Sequence, residues 1–227
     1  ARSEATSFTI GNKGYLTGGY DARKHLNDLW EYDMEQDSWT QKATFPGPPR
    51  SAAVAFSVNE RGYFGTGFDG KEYYKDFWEY DPETNKWTQK TDFPGSARND
   101  ATAFGLSDKG YIGSGYDGNY LKDFYVYDPQ NSKWEQIVSL GGSKRRGATS
   151  FVIDNIAYVC TGYNNGEYVK DFWKYDPTQQ RWIQLRDIAD TSDDSYDNKY
   201  NSIVRIYGVS FVIDGQAYLT CGGTPDL

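Results

Sequence analysis

Hydrophobic and polar positions alternate along this chain in short runs, each bounded by Gly, Asn, Asp, Ser or Pro. The first run, Ala5-Thr-Ser-Phe-Thr-Ile10, is rich in small residues; the second is Gly14-Tyr-Leu-Thr-Gly-Gly19, and the polar Gly11-Asn-Lys13 lies between them. Period-two alternation on both sides of such a turn predicts an antiparallel hairpin. After a loop carrying Tyr20-Asp21, aromatic and polar residues alternate again in Asp28-Leu-Trp-Glu-Tyr-Asp33, and a further turn leads into a strand at Trp39. The pattern predicts four short strands in an antiparallel meander.

That unit recurs. Arg2, Phe8, Gly14-Tyr15, Gly19, Tyr32-Asp33 and Trp39 return 48 residues later as Arg50, Phe56, Gly62-Tyr63, Gly67, Tyr80-Asp81 and Trp87. Further steps of 47 or 48 give Arg98, Phe104, Gly110-Tyr111, Gly115, Tyr127-Asp128 and Trp134, and then Arg145, Phe151, Ala157-Tyr158, Gly162, Tyr175-Asp176 and Trp182. After a gap of 60, half a copy follows with Arg205, Phe211, Ala217-Tyr218 and Gly222. A fixed period of this size marks an array of one supersecondary unit. The expectation is one domain over 1–227, with units at about 2–49, 50–97, 98–144 and 145–204 and a partial unit at 205–227. One four-stranded sheet buries too little to stand alone, so neighbouring sheets must pack face to face, and radial repetition does this as a β-propeller.

Composition changes this picture little. Aromatic residues make up 17% of the chain, with 24 Gly and one Met, as suits short strands and tight turns. The mean hydropathy of −0.79 follows from the alternation rather than from disorder. A net charge of −8 argues against nucleic acid or an anionic membrane surface as partner, and no apolar run approaches the roughly 20 residues of a membrane-spanning helix. Cys160 and Cys221 fall one position apart in the repeat register, so they point to opposite sheet faces and read as two buried free thiols. With the single His25 they make no zinc site, and no cofactor or metal is expected.

The Gly pair after an aromatic strand, the Tyr-Asp-Pro of 80–82, 127–129 and 175–177, and the Trp at fixed spacing together resemble the kelch repeat. The near-verbatim Lys-Asp-Phe-Trp copies are similar to kelch-repeat proteins of bacterial cell envelopes, which implies an extracellular or envelope location. The resemblance implies a propeller of six or seven blades, so the four and a half units here are expected to be part of a larger ring. It also implies a recognition surface at the rim where the connections into the first strands meet the loops between second and third strands. On that rim the repeat places Arg2, Arg50, Arg98, Arg145 and Arg205, the aromatic Tyr20, Phe68, Tyr116 and Tyr163, and Asp69 and Asp117, with Asp21 and Asn164 at matched positions.

Arginine forks, aromatic platforms and carboxylates suit a glycan or an acidic protein segment. An arginine repeated in every unit equally suits a structural ion pair between neighbouring blades. The paired Tyr and Trp at Tyr32/Trp39, Tyr80/Trp87, Tyr127/Trp134 and Tyr175/Trp182 read as core. Non-catalytic recognition outweighs catalysis here. Kelch copper oxidases require two His ligands, and this chain holds one. The alternative is an envelope carbohydrate-processing enzyme of the kelch sialic-acid mutarotase type, in which His25, Glu72 and Glu167 are the available groups. An insertion at 185–200 carries Asp190, Asp193, Asp194 and Asp197, whose spacing fits no EF-hand and reads as a solvated loop.

Overall fold

The computed structural model describes residues 1–188 and 203–224. Every regular element among them is a strand. The first blade comprises β1 (Thr6–Ile10), β2 (Lys13–Thr17), β3 (Leu29–Asp33) and β4 (Ser38–Gln41), and the second comprises β5 (Val54–Val58), β6 (Arg61–Gly65), β7 (Phe77–Asp81) and β8 (Lys86–Gln89). The third is β9 (Thr102–Leu106), β10 (Lys109–Gly113), β11 (Phe124–Asp128) and β12 (Lys133–Ile137). The fourth opens with β13 (Thr149–Ile153) and β14 (Ile156–Cys160), projects the two-residue ribbon β15 (Tyr163–Asn164) and β16 (Glu167–Tyr168), and closes with β17 (Phe172–Asp176) and β18 (Arg181–Leu185). A hairpin of β19 (Val209–Ile213) and β20 (Gln216–Thr220) follows. Each blade is an up-and-down antiparallel sheet in chain order.

The first strands pack side by side, β1 on β5, β5 on β9, β9 on β13 and β13 on β19. Small residues immediately ahead of them, Ala5, Ala53, Ala101, Ala148 and Gly208, line a central channel. This is why the first strand of each repeat is poor in bulk: the blades converge there.

Between blades the core is aromatic. Tyr80 of β7 tilts onto Tyr15 of β2, with ring centroids 5.7 Å apart, Tyr127 meets Tyr63 at 5.7 Å, and Tyr175 meets Tyr111 at 5.6 Å. Tyr80, Tyr127 and Tyr175 are buried, and tilted pairs of this kind contribute about 0.5–1.5 kcal/mol each beyond the area they bury. The indole N–H of Trp87 donates to the Ala43 carbonyl, that of Trp134 to Thr91 and that of Trp182 to Val138, so each of these indoles is tied to the segment leaving the preceding blade. Trp39 departs from the core expectation: it is 54% exposed, and no such carbonyl stands beside it among the described residues. Both cysteines are free, but only Cys160 is buried; Cys221, just beyond β20, is exposed, which corrects the expectation of two buried thiols.

Candidate functional site

The repeated arginines build the framework of the rim. Arg98 donates to both carboxylate oxygens of Asp123, at 2.7 and 2.8 Å, to the Ser114 carbonyl at 2.9 Å and to the Ser96 carbonyl at 3.0 Å. Arg50 does the same with Asp76, Thr66 and Pro48, while Arg145 forms an ion pair with Asp171 Oδ1 and donates to the Thr161 and Ser143 carbonyls. Thr66, Ser114 and Thr161 are left-handed, with φ of 59°, 56° and 60°, so each guanidinium holds the carbonyl of a residue that L side chains adopt reluctantly. Arg50, Arg98 and Arg145 are fully buried.

One expectation changes here. The ion pairs lie within one blade, joining the approach to its first strand to the approach to its third, rather than between neighbours. Neighbouring blades are tied instead by the arginine backbone, whose carbonyls at Arg50, Arg98, Arg145 and Arg205 accept from Gly19, Gly67, Gly115 and Gly162. Arg50, Arg98 and Arg145 present no exposed surface, and each is held by a carboxylate and by backbone carbonyls of its own blade. Arg2 pairs with Asp28 at 2.6 Å in a half-exposed setting, and Arg205 donates to the carbonyls of Ile203 and Cys221.

The aromatic positions do converge. Tyr20, Phe68, Tyr116 and Tyr163 each form a bridge with the segment entering the first strand and a second bridge or short ribbon with a residue farther along their own loop: His25, Tyr73, Tyr120 and Tyr168. The rings then meet in a continuous belt. Phe68 to Tyr73 is 4.8 Å between centroids, Tyr73 to Tyr116 6.3 Å, Tyr116 to Tyr120 5.2 Å, Tyr120 to Tyr163 6.2 Å and Tyr163 to Tyr168 5.4 Å. All six are half-buried.

The loop carboxylates shape their own turns. Asp69 accepts from the backbone of Glu72 and Lys71 and from the Tyr74 hydroxyl, which together hold it down at about 2. Burial works against Asp117, but bonds from Ser96 and Asn119 hold its carboxyl below the ordinary value. Asp21 caps Arg23 and Lys24 in the same manner, and the Asn164 Oδ1 is buried without a hydrogen-bond partner among the described residues. The aspartates Asp190, Asp193, Asp194 and Asp197 lie outside the described residues. Among the described residues no group of three or more His, Cys, Asp or Glu is placed to hold a metal ion.

Two residues after each arginine the chain turns left-handed at the channel mouth, at Glu4, Ala52, Asp100, Gly147 and Tyr207, with φ between 51° and 60°. A relay of backbone bonds joins them: Ala52 N–H to Glu4, Asp100 to Ala52, Gly147 to Asp100 and Tyr207 to Gly147, at 2.9–3.0 Å. The Tyr207 hydroxyl donates across the mouth to Asp100 Oδ2 at 3.1 Å, and Arg146 Nη1 stands 4.0 Å from the same oxygen. The Arg146 guanidinium also lies over the Tyr116 and Tyr120 rings, 5.1 and 5.8 Å from their centroids. Burial pushes the Asp100 carboxyl up to about 6, against the pull of Arg146 and Tyr207.

Comparison with known proteins places the unit. Residues 1–97 match the KLHDC2/KLHL20/DRC7 Kelch-repeats domain, and residues 110–141 and 144–187 match the Kelch motif. The chain belongs to the kelch-repeat family. The solved structure of YjhT is similar over 99% of this chain and 78% of its own, with a TM-score of 0.80 and 17% identity, a likeness of fold. No curated protein matches the chain.

Within this kelch array, reading the sequence for constant positions found the arginines and missed Asp100, Arg146 and Tyr207. The signal for them is the opposite one. Immediately after the constant arginine the repeats carry Ser3, Ser51, Asn99, Arg146 and Ile206, and then Glu4, Ala52, Asp100, Gly147 and Tyr207. The backbone repeats there and the side chain does not.

Proposed function

We propose that this kelch propeller is a recognition scaffold that binds a glycan along its rim. The observation that carries the reading is the aromatic belt from Phe68 to Tyr168, six half-buried rings in mutual contact across three blades. Half-buried rings fixed by backbone bridges offer flat apolar faces at little entropic cost, and the polar edges of successive sugar rings can reach the loop hydroxyls around them. An acidic protein segment fits less well, because the guanidinium groups of Arg50, Arg98 and Arg145 are engaged and buried. An extracellular or envelope setting, where glycans are plentiful, accords with this reading.

A glycan array probed with the chain, beside a Tyr116→Ala/Tyr120→Ala variant of unchanged fold, tests it. Selective binding that the double variant loses supports the belt as the site. Absence of glycan binding, or binding that the variant retains, sinks it. One observation favours a second reading, a carbohydrate-processing enzyme of the kelch mutarotase type: Asp100, with its carboxyl raised to about 6, faces Tyr207 in a pocket that also holds His25 and Glu4. Conversion of a sugar anomer or cleavage of a bond by the chain decides for that reading, and saturable binding without turnover decides for the scaffold.

A further inference from the structure

Behind the inner edge of the belt the channel mouth opens into a pocket of about 380 Å³, walled by Tyr20 and Phe68 and by the polar Glu4, His25, Asn99, Asp100, Arg146 and Tyr207. Its make-up is asymmetric although the backbone around it repeats. Five matched left-handed positions ring the mouth, and they carry a carboxylate, a methyl, a carboxylate, no side chain and a phenol. A tyrosine held at φ 59° is strained where an Asn or Gly would rest more easily.

The polar inventory of the pocket is unbalanced in a definite sense. Among the described residues, His25 Nδ1, Asn99 Oδ1 and Arg146 Nε are buried without a hydrogen-bond partner, and all three side chains line this one pocket. Two carboxylates face it, Glu4 and Asp100, against the single guanidinium of Arg146, which is shared between Asp100 and the rings of Tyr116 and Tyr120. Among the described residues the carboxylate of the exposed Glu4 accepts only from the Ser51 hydroxyl, at 2.6 Å, and Asp100 is 9% exposed. Unpartnered polar atoms around one pocket call for a ligand that can hydrogen-bond to them, and two carboxylates against one guanidinium call for a ligand that brings positive charge. An acidic sugar would meet two carboxylates and be repelled.

We infer that the channel-mouth pocket takes an amino sugar, its protonated amine between Asp100 and Glu4 and its hydroxyls on Asn99, His25 and Arg146. The inference rests on the reading of the belt as a glycan platform: the belt carries the chain of sugars and the mouth selects the unit at its end. Charge-assisted hydrogen bonds from an ammonium are about twice as strong as neutral ones, which makes the amine the discriminating group. The chain's net charge of −8 draws such a ligand in from solution.

The test is a calorimetric titration of the chain at pH 7 with three probes of equal length: an oligomer of glucosamine, its fully N-acetylated counterpart and an oligogalacturonate. The glucosamine oligomer is expected to bind about tenfold tighter than the N-acetylated one, with the oligogalacturonate weakest. That preference should vanish in Asp100→Asn, shrink in Glu4→Gln and survive in Tyr120→Ala while overall affinity falls. Equal affinity for the first two probes, or a preference indifferent to both carboxylate variants, overturns the inference and leaves the glycan belt standing. Absence of binding to every probe overturns the inference, and the glycan array then decides the fate of the belt. If Asp100→Asn lacks the native tryptophan emission and cooperative unfolding, Glu4→Gln decides alone: an unchanged preference in it counts against the pocket.

Discussion

Asp123 receives the guanidinium of Arg98 through two parallel hydrogen bonds, 2.7 and 2.8 Å long, from 25 residues away in the sequence. The arginine is fully buried while the aspartate retains 23% exposure, so the pair lies at the boundary of the rim with its cationic half inside. Removing that half unties three things together: the carboxylate, the left-handed Ser114 carbonyl and the Ser96 carbonyl. Arg98→Met should therefore destabilise the protein by about 3 kcal/mol or more, as for other broken buried pairs. Arg2→Met, at the matched but half-exposed Arg2–Asp28 pair, should cost about 1 kcal/mol. Urea midpoints at constant slope rank the two; equal losses would show that burial does not set the strength of these pairs.

Close approach between blades makes a second, sharper contrast. A methyl on Gly110 at the start of β10 would overlap the Phe56 ring of the preceding blade, whereas one on Gly14 at the matched position finds its nearest neighbour, Tyr32 Cβ, at 4.0 Å. Gly110→Ala should cost about 1–3 kcal/mol through overpacking. Gly14→Ala should be neutral or slightly stabilising, since it restricts the unfolded chain without a clash. A thermal melt of each variant distinguishes them, and a tolerated Gly110→Ala would mean the Phe56 ring yields more readily than its packing implies.

How far the sequence reveals these features depends on whether they repeat. Strands, their order and the aromatic packing of Tyr80, Tyr127 and Tyr175 follow from alternation and period, because each copy solves the same packing problem. The arginine–aspartate pairs repeat as well, at spacings of 25 to 26 residues, yet which blade each joins depends on how the second strand ends and is not written in the period. The mouth pocket is least legible. Its members come from four blades and the fifth hairpin, and Asp100 and Tyr207 are 107 residues apart in the sequence. Only closure of the first strands around the channel brings them together. Trp39 misleads for the complementary reason: its local pattern matches Trp87, but burial of Trp87 depends on the Ala43 segment of another blade.

Thiol chemistry should separate the two cysteines. Burial pushes the Cys160 thiol up to about 11, while Cys221 is exposed. The thiolate is the reactive species, so Cys160 is protected both by access and by protonation. Titration of the folded protein with an aromatic disulfide reagent at pH 8 should modify one of the two thiols promptly and the second only on unfolding. Prompt reaction of both would mean that the end of β14 opens readily.

Asp100 gives the protein a pH dependence whose sign is opposite to that of its paired carboxylates. Its carboxyl is raised from 3.8 to about 6 by burial, with Arg146, Tyr207 and Glu4 as the charged and titratable groups acting on it. Between those values the folded state binds more protons than the unfolded state, so this group's contribution falls as pH rises through the window and the penalty is complete above about 6. A shift of this size corresponds to a penalty on the order of 3 kcal/mol. Asp28, held low by Arg2, and Asp69, held at about 2 by its turn, act in the other direction and lose their contribution as pH falls. They are common to wild type and variant and cancel in the difference. Asn keeps an acceptor for the Tyr207 hydroxyl and tolerates the left-handed backbone of this position. Asp100→Asn should thus be more stable than wild type above pH 6, by an amount that shrinks steadily toward pH 4. Unfolding curves at pH 4, 5, 6 and 7.5 give that difference directly. A difference that does not vary with pH would mean that Asp100 titrates at its ordinary value and that the mouth is better solvated than its geometry indicates.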